Sequence, residues 1–430
     1  MLLASRLRDK FPFYYGWIVV GAAGTVVFAR MAPAITTLTV LIFPMSQQLG
    51  WSRTLIAGSV SAGALAALVL SPVVGWAIDR FGARPVLAVS VTGLGLAMIS
   101  LAWATTPLTF YIAFAAARVV FHTSAPIGAS TVAARWFIRK RGRAIGMIFL
   151  FGAIGGIVFT MLASLVVENH GLKATWIAIG LVVLLFSVAP SLLLLAEKPE
   201  DIGLLPDGAP PESPDTRSVV RSTGPPARAA GDTDSWTLGE AVHTRTFWIL
   251  VFMGFAAFFV HTSIGVHMGA YFRDVGLGPT SAALAVSLSW AVSAFGSVTW
   301  GWVTDRIDVR YAYSVMFLFQ AGSTLYLIFV GGTLGVFLAA GLFGVVSAGS
   351  NVVPSVIYAN YFGRSSLGKI RGLSEVGVLL GQATGPVIAG ILFDLQGGYS
   401  TIFSAFVVLA LACSLLVLKA RAPIRAVTYR

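Results

Sequence analysis

The chain is divided into a succession of apolar runs, each bounded by charged or turn-forming residues. An α-helix rises about 1.5 Å per residue, so roughly 20 apolar residues suffice to cross the hydrocarbon core of a bilayer. Hydrophobic residues make up 57% of the chain and charged residues only 11%, which is outside the range of a soluble globular domain. The sequence therefore predicts an all-α membrane protein with twelve transmembrane helices. The predicted spans cover approximately residues 15–42, 53–78, 85–104, 107–135, 142–167, 173–195, 246–272, 280–304, 310–330, 333–362, 368–394 and 398–419.

The segment 196–245 separates the first six spans from the last six. Its stretches "EKPEDIGLLPDGAPPESPD" and "RSTGPPARAAGDTDS" mix prolines with charges and offer little apolar surface to bury. We expect a flexible polar linker between an N-terminal six-helix bundle (1–195) and a C-terminal six-helix bundle (246–430).

The distribution of lysine and arginine predicts the orientation in the membrane. Of the 29 basic residues, 24 lie in the two tails, the linker and the loops that follow even-numbered spans. The opposite side carries only Arg53, Lys173 and Arg273. By the positive-inside rule both termini and the linker are cytoplasmic, and a multi-pass protein of the plasma (inner) membrane is expected. The net charge of +12 thus reflects topology, and no nucleic-acid partner is expected.

The two halves of the chain are copies of one another. The motif Gly-Trp-x-x-Asp-Arg begins at Gly75 and again at Gly301, an offset of 226 residues. Because that offset contains six spans, an even number, both copies enter the membrane in the same direction, as in a parallel repeat around a central cavity. Further residue pairs at the same offset are Thr54–Thr280, Gly146–Gly372, Gly155–Gly381, Glu168–Asp394 and Gly171–Gly397.

Twelve spans with a long central loop resemble the major facilitator superfamily. Its loop motif G-x-x-x-D-R-x-G-x-R is matched here by Gly75, Asp79, Arg80, Gly82 and Arg84. The stretches "YYGWIVV", "LGWSRT" and "RWFIRKRGRAIGMIFLFGAIGG" are similar to the monocarboxylate transporter and oxalate/formate antiporter branch. The resemblance implies a secondary transporter working by alternating access. It also implies a cytoplasmic gate in which Asp79 and Arg80 hold the bundles together, repeated by Asp305 and Arg306.

The chain departs from that branch in two spans. Span 8, "SAALAVSLSWAVSAFGSVTWGW", has neither the arginine nor the aspartate that the branch often carries there. Span 11, "GLSEVGVLLGQATGPVIAGIL", lacks the lysine expected of oxalate exchangers. These departures leave the exact substrate and the coupling ion open, and an anionic substrate would need another cation to bind it.

In this superfamily spans 1, 4, 7 and 10 line the cavity, and the unusual polar residues of this chain lie on those spans. Arg30 and Arg118 are charged groups in otherwise apolar spans, which is costly unless they face protein, water or a ligand. A guanidinium offers a bidentate fork that suits a carboxylate. The predicted substrate-binding residues are Arg30, Arg118, His122, His261 and Asn351, and the substrate is predicted to be a small anion such as a monocarboxylate.

Several alternatives remain open at this point. Arg30 and Arg118 have a purely structural interpretation as ties to backbone carbonyls, and His267 is placed farther toward the outer interface. Proton symport is the first hypothesis, with His122, His261 and Glu375 as the coupling candidates; anion exchange, uniport and transport of larger siderophore-like or drug-like compounds are the others. With one cysteine, Cys413, and no metal-ligand spacing, we expect no cofactor, no metal site and no enzyme activity. A monomer is expected.

Overall fold

The computed structural model describes residues 11–209, 235–396 and 398–424. Within these ranges every regular element is helical. The middle of the predicted linker, residues 210–234, lies outside the described residues, and so does Gly397 of the pair Gly171–Gly397.

The first six spans are built from eight helices. Span 1 is divided between α1 and α2, and span 4 between α5 and α6. Spans 5 and 6 run together in α7 and are separated at Gly171, whose φ of 78° is a left-handed conformation that glycine tolerates. The helices are α1 (Gly16–Ala29), α2 (Ile35–Leu49), α3 (Arg53–Phe81), α4 (Ala83–Ser100), α5 (Pro107–His122), α6 (Ser124–Trp136), α7 (Arg141–Val183) and α8 (Ala189–Leu193).

The last six spans are uninterrupted helices. In the described part of the chain, nine helices are long and apolar enough to cross a membrane, and one of them, Arg141–Leu193, contains two spans. The divided span 1 and the 20-residue α12 complete the set, so the predicted twelve-span all-α fold is confirmed. The helices are α9 (Leu238–Val242), α10 (Arg245–Asp274), α11 (Pro279–Arg306), α12 (Val309–Ile328), α13 (Gly332–Phe362), α14 (Leu367–Gln396) and α15 (Ser400–Val417), of which α10 to α15 are spans 7 to 12.

Prolines account for the two divided spans. The gap between α1 and α2 contains Pro33, which has no backbone N–H to continue the helical ladder. The gap between α5 and α6 falls at Thr123 (φ −115°, ψ −81°), three residues before Pro126. Backbone carbonyls released at such breaks need donors from elsewhere when they lie at membrane depth. The breaks therefore create acceptor sites near the middle of spans 1 and 4.

The two bundles touch through glycines at the end that carries the linker, which we call the linker end. A Cβ on Gly75 of α3 would lie 2.2 Å from the carbonyl oxygen of Gly368 of α14. A Cβ on Gly301 of α11 would lie 2.3 Å from the carbonyl oxygen of Gly142 of α7. These contacts are related by the 226-residue repeat, which pairs Gly75 with Gly301 and Gly142 with Gly368. The backbones of the two bundles are thus in direct contact at the linker end.

Both ends of the predicted linker are folded. Ile202, in a short 3-10 helix, and Ala241 of α9 are buried. The carboxylate of Asp207 accepts hydrogen bonds at 3.0, 2.8 and 3.2 Å from three successive backbone N–H groups just before α7, those of Ile138, Arg139 and Lys140. The expectation of a flexible segment does not hold for residues 196–209 and 235–245, because buried apolar side chains and backbone hydrogen bonds hold them against the bundles.

Candidate functional site

Arg30 lies where span 1 is divided, directly after α1. Its Nη1 donates a hydrogen bond to the backbone carbonyl of Phe121 on span 4, at 3.3 Å. Its Nε is buried and has no hydrogen-bond partner among the described residues. A buried polar donor without a partner costs free energy that a bound acceptor would recover. Arg30 therefore presents an unused donor edge inside the protein.

Arg118 and His122 are one turn apart on α5, and both are buried. The Nη2 of Arg118 lies 2.8 Å from the Nε2 of His122, and its Nη1 donates to the carbonyl of Pro33 at 3.3 Å. Arginine only donates, so the Nε2 of His122 accepts and the imidazole is neutral in this arrangement. The Nε of Arg118 has no partner in the described part of the chain. Two of the three guanidinium nitrogens of Arg118, Nη1 and Nη2, are therefore hydrogen-bonded to the protein.

The two arginines tie the two divided spans to each other. Arg30 of span 1 reaches the carbonyl of Phe121 beside the break in span 4, and Arg118 of span 4 reaches the carbonyl of Pro33 in the break of span 1. Both guanidinium carbons also lie over the Phe121 ring, at 5.1 and 4.5 Å from its centroid. Of the two arginines, only Arg30 lies over the ring of Phe149 of α7 among the cation–ring contacts of the described residues, at 5.6 Å. Phe121 was not among the predicted site residues, although its i,i+3 spacing from Arg118 places it beside that residue.

Among the described residues, the candidates of the second half, His261 and Asn351, make no hydrogen bond or ring contact with Arg30, Arg118 or His122. The His261 ring stacks on Phe343 at 4.6 Å with an interplanar angle of 7°, and its Nδ1 is buried without a partner among the described residues. Asn351 donates from Nδ2 to the carbonyl of Ser347 in its own helix, at 2.9 Å. Both residues are thus engaged within the C-terminal bundle.

His267 belongs to a contact between three spans of the C-terminal bundle. Its Nε2 lies 3.2 Å from the carbonyl oxygen of Pro386, and its Nδ1 lies 3.2 Å from the hydroxyl of Tyr399. These partners come from α14 and from the start of α15. His267 therefore joins spans 7, 11 and 12.

Glu375 is a buried carboxylate on α14 that pairs with one cation. Its Oε2 lies 3.7 Å from the Nη2 of Arg371, one turn earlier on the same helix. The Arg371 guanidinium lies over the Tyr358 ring at 5.5 Å, and its Nε is buried without a partner within the described ranges. Glu375 is thus paired within the C-terminal bundle.

The gate residues Asp79 and Asp305 meet the opposite bundle through its backbone. Asp79 accepts hydrogen bonds from the backbone N–H groups of Gly368 and Lys369, at 3.0 and 2.7 Å. Asp305 accepts from the corresponding groups at the start of α7, those of Gly142 and Arg143, at 2.6 and 3.1 Å. The first turn of a helix has free N–H groups and a partial positive charge, so it binds an anion well. Each aspartate caps a helix of the other bundle.

The arginines of the gate motif take different positions. Arg80 and Arg306 are exposed, and Arg306 lies over the Trp302 ring at 4.0 Å. Arg84 stays within its own bundle, donating from its side chain to the carbonyl of Leu192. The predicted roles of Arg80 and Arg306 in joining the bundles remain predictions.

A further arginine, Arg135, forms an ion pair with Asp79. Arg135 is buried at the end of α6, with its Nη2 3.5 Å from Asp79 and its Nη1 in contact with Glu197. Glu197 also accepts from the backbone N–H of Arg84, at 3.2 Å, beside Gly82 with its φ of 93°. Arg135 was not among the predicted gate residues, because nothing local in the sequence shows that it is buried beside an acid.

Comparison with known proteins gives a family match over both halves of the chain. The family model described as Major Facilitator Superfamily matches residues 22–277 and again residues 250–428. A solved structure of similar fold, the human organic anion transporter MFSD10 (TETRAN), has a TM-score of 0.69 and 16% identity, covering 94% of this chain and 99% of that one.

Curated relatives are also similar to the chain over most of its length. A gallate transporter of Pseudomonas putida is 24% identical over 395 residues, 87% of this chain and 85% of that protein. Human monocarboxylate transporter 11 is 24% identical over 414 residues, 90% of this chain and 79% of that protein. The match to the probable anion transporter 4 of Arabidopsis thaliana chloroplasts, 28% identical, is confined to 34% of this chain and 27% of that protein.

Proposed function

The chain belongs to the major facilitator superfamily of membrane transporters, and from this premise we propose that it moves a small organic anion, a monocarboxylate, whose carboxylate binds Arg30. The observation that carries the proposal is the buried Nε of Arg30, which has no partner among the described residues. The Nε and Nη2 of a guanidinium form an edge that binds both oxygens of a carboxylate. The names of the relatives, a gallate transporter and a monocarboxylate transporter, agree with this substrate class.

The bundle contacts suggest which side the site opens to. If the linker end is cytoplasmic, as the lysine and arginine distribution predicts, this conformation is closed toward the cytoplasm by the Asp79 and Asp305 contacts. Alternating access then requires these contacts to break and a closure to form at the opposite end. We propose that the protein is a monomer in the plasma (inner) membrane with both termini cytoplasmic.

We propose Glu375 as the coupling residue, because it is a buried carboxylate of a membrane span and pairs with Arg371 one turn earlier. An anion that enters the cavity adds a negative charge where charges are poorly screened, and a proton on Glu375 would offset it. Symport would then link one proton to one anion. His122 is less suitable, because its Nε2 already accepts from Arg118. Anion exchange without a proton is the alternative.

The test of the substrate is uptake into proteoliposomes that contain the purified full-length protein. We expect uptake of a labelled monocarboxylate to be inhibited by other monocarboxylates and not by their uncharged amides. Equal inhibition by acids and amides, or selective uptake of large uncharged amphipathic compounds, would contradict the carboxylate site.

Glu375→Gln is expected to remove the dependence of uptake on a proton gradient. The amide keeps the shape of the side chain but does not titrate, so an inward proton gradient should no longer accelerate uptake, while exchange of internal for external anion continues. Asp394→Asn on the same helix is the control, because Asp394 is exposed near the far end of α14. A Glu375→Gln transporter that still responds to the gradient as the wild type does would exclude Glu375 as the coupling residue.

A further inference from the structure

Two positive charges lie close together in the candidate site. The guanidinium carbons of Arg118 and Arg30 lie 4.5 and 5.1 Å from the centroid of one ring, that of Phe121, and Arg118 is buried. Like charges repel more strongly in a buried environment than in water. Another group of the N-terminal bundle must keep the two guanidinium groups together.

Phe121 is the residue that both arginines share. Its ring centroid lies 5.1 Å from the guanidinium carbon of Arg30 and 4.5 Å from that of Arg118. The face of an aromatic ring carries partial negative charge and attracts a guanidinium, most strongly where water is excluded. The same ring meets His122 edge to face at 4.8 Å and 77°. Phe121 therefore touches Arg30, Arg118 and His122, the predicted binding residues of spans 1 and 4.

The backbone of Phe121 adds a second hold on Arg30. Its carbonyl accepts from Nη1 at 3.3 Å, while its ring covers the guanidinium. Together these contacts restrict the guanidinium and leave the edge that includes Nε without a protein partner in the described chain.

We infer that Phe121 is a positioning residue for the transported anion: its ring holds the guanidinium groups of Arg30 and Arg118 together, so that the Nε edge of Arg30 stays directed at the substrate carboxylate. The inference rests on the proposed function. A leucine at this position keeps an apolar side chain of similar reach and loses the attraction of the ring for cations. Arg30 then adopts several orientations, and the substrate binds more weakly.

The experiment compares KM and maximal uptake rate for a labelled monocarboxylate in proteoliposomes. Phe121→Leu is expected to raise KM about tenfold, as loss of a buried cation–ring contact implies, with the maximal rate per folded transporter within about twofold of wild type. Phe121→Tyr is expected to restore KM. The matched control is Phe149→Leu, since Phe149 contacts Arg30 but not Arg118, and its KM should rise less. Phe121→Met gives the same comparison if Phe121→Leu does not reach the membrane.

The experiment distinguishes a failure of the proposed carboxylate transport from a failure of the positioning role of Phe121. A wild-type protein that transports no carboxylate contradicts the proposed function. A wild-type carboxylate transporter whose KM is unchanged in Phe121→Leu contradicts the positioning role alone. A loss of maximal rate with constant KM, not rescued by tyrosine, also contradicts it, because that pattern indicates a packing role only.

Discussion

Arg30→Ala is expected to reduce uptake of the transported carboxylate by roughly 100-fold or more. Removing one partner of a buried charged pair costs about 2–5 kcal/mol, and each 1.4 kcal/mol is about tenfold in affinity. The alanine also leaves the Phe121 carbonyl without its donor. Arg30→Lys is expected to recover part of the activity, since an ammonium keeps the charge but does not provide the two-pronged edge. The measurement is initial uptake rate over a range of substrate concentrations.

Lys173→Ala is the control for loss of one positive charge. The Lys173 ammonium lies over the Trp103 ring at 5.2 Å, at the start of span 6. Its removal should leave KM and maximal rate near wild type. The thermal unfolding midpoint of each variant, measured in detergent, separates misfolding from loss of binding. Wild-type kinetics in a well-folded Arg30→Ala protein would rule out Arg30 as the carboxylate ligand.

Gly75→Val is expected to prevent closure of the linker end and to abolish transport. Even a Cβ at this position would lie 2.2 Å from the carbonyl oxygen of Gly368, and both contacting groups are backbone, which cannot move aside as a side chain can. Overpacking a well-packed contact costs about 1–3 kcal/mol, which is comparable with the few kcal/mol that separate the two conformations in many two-state equilibria. The protein should then rest in conformations open at the linker end.

Accessibility of a single cysteine reports this shift. Ser297 is buried where α11 meets α7, and its carbonyl oxygen would lie 2.3 Å from a Cβ on Gly146. This contact between the bundles is the counterpart, in the internal repeat, of the contact between α3 and α14 around Gly75. In a Cys413→Ser background, Ser297→Cys should react faster with a membrane-impermeant thiol reagent applied from the linker side when Gly75→Val is present. Gly93→Val is the control, because no atom lies within 4 Å of a Cβ at Gly93. Normal transport by Gly75→Val would show that this glycine contact is not required for the cycle.

Much of the fold follows from local patterns in the sequence. Apolar runs predict the spans because a bilayer penalises every unpaired backbone group, so each run must become a helix. The repeat at 226 residues predicts that the two halves have the same orientation, and both halves match one family model. The folded start of the linker was not predicted, since Asp207 acts on backbone N–H groups 67 to 69 residues earlier.

The candidate site was predicted in part. An arginine in an apolar span is visible in the sequence, and the i,i+4 spacing of Arg118 and His122 predicts that they share a helix face. The partners of these residues were not predictable. Arg30 and Arg118 bind carbonyls that are available because two spans are divided, and which carbonyl each one reaches depends on how spans 1 and 4 pack.

The sequence by itself determined the number of spans, the two related halves and the charged residues that apolar helices must accommodate, because hydropathy and repeats are recorded residue by residue. Only the tertiary structure decided that Asp79 binds the backbone of Gly368 and Lys369, 289 and 290 residues away, and that Phe121 serves two arginines. The physical reason is that a backbone N–H or carbonyl is common to nearly every residue. Its availability is set by where helices begin, break and pack; a proline marks a possible break, but no residue type marks which group will bind the carbonyl released there.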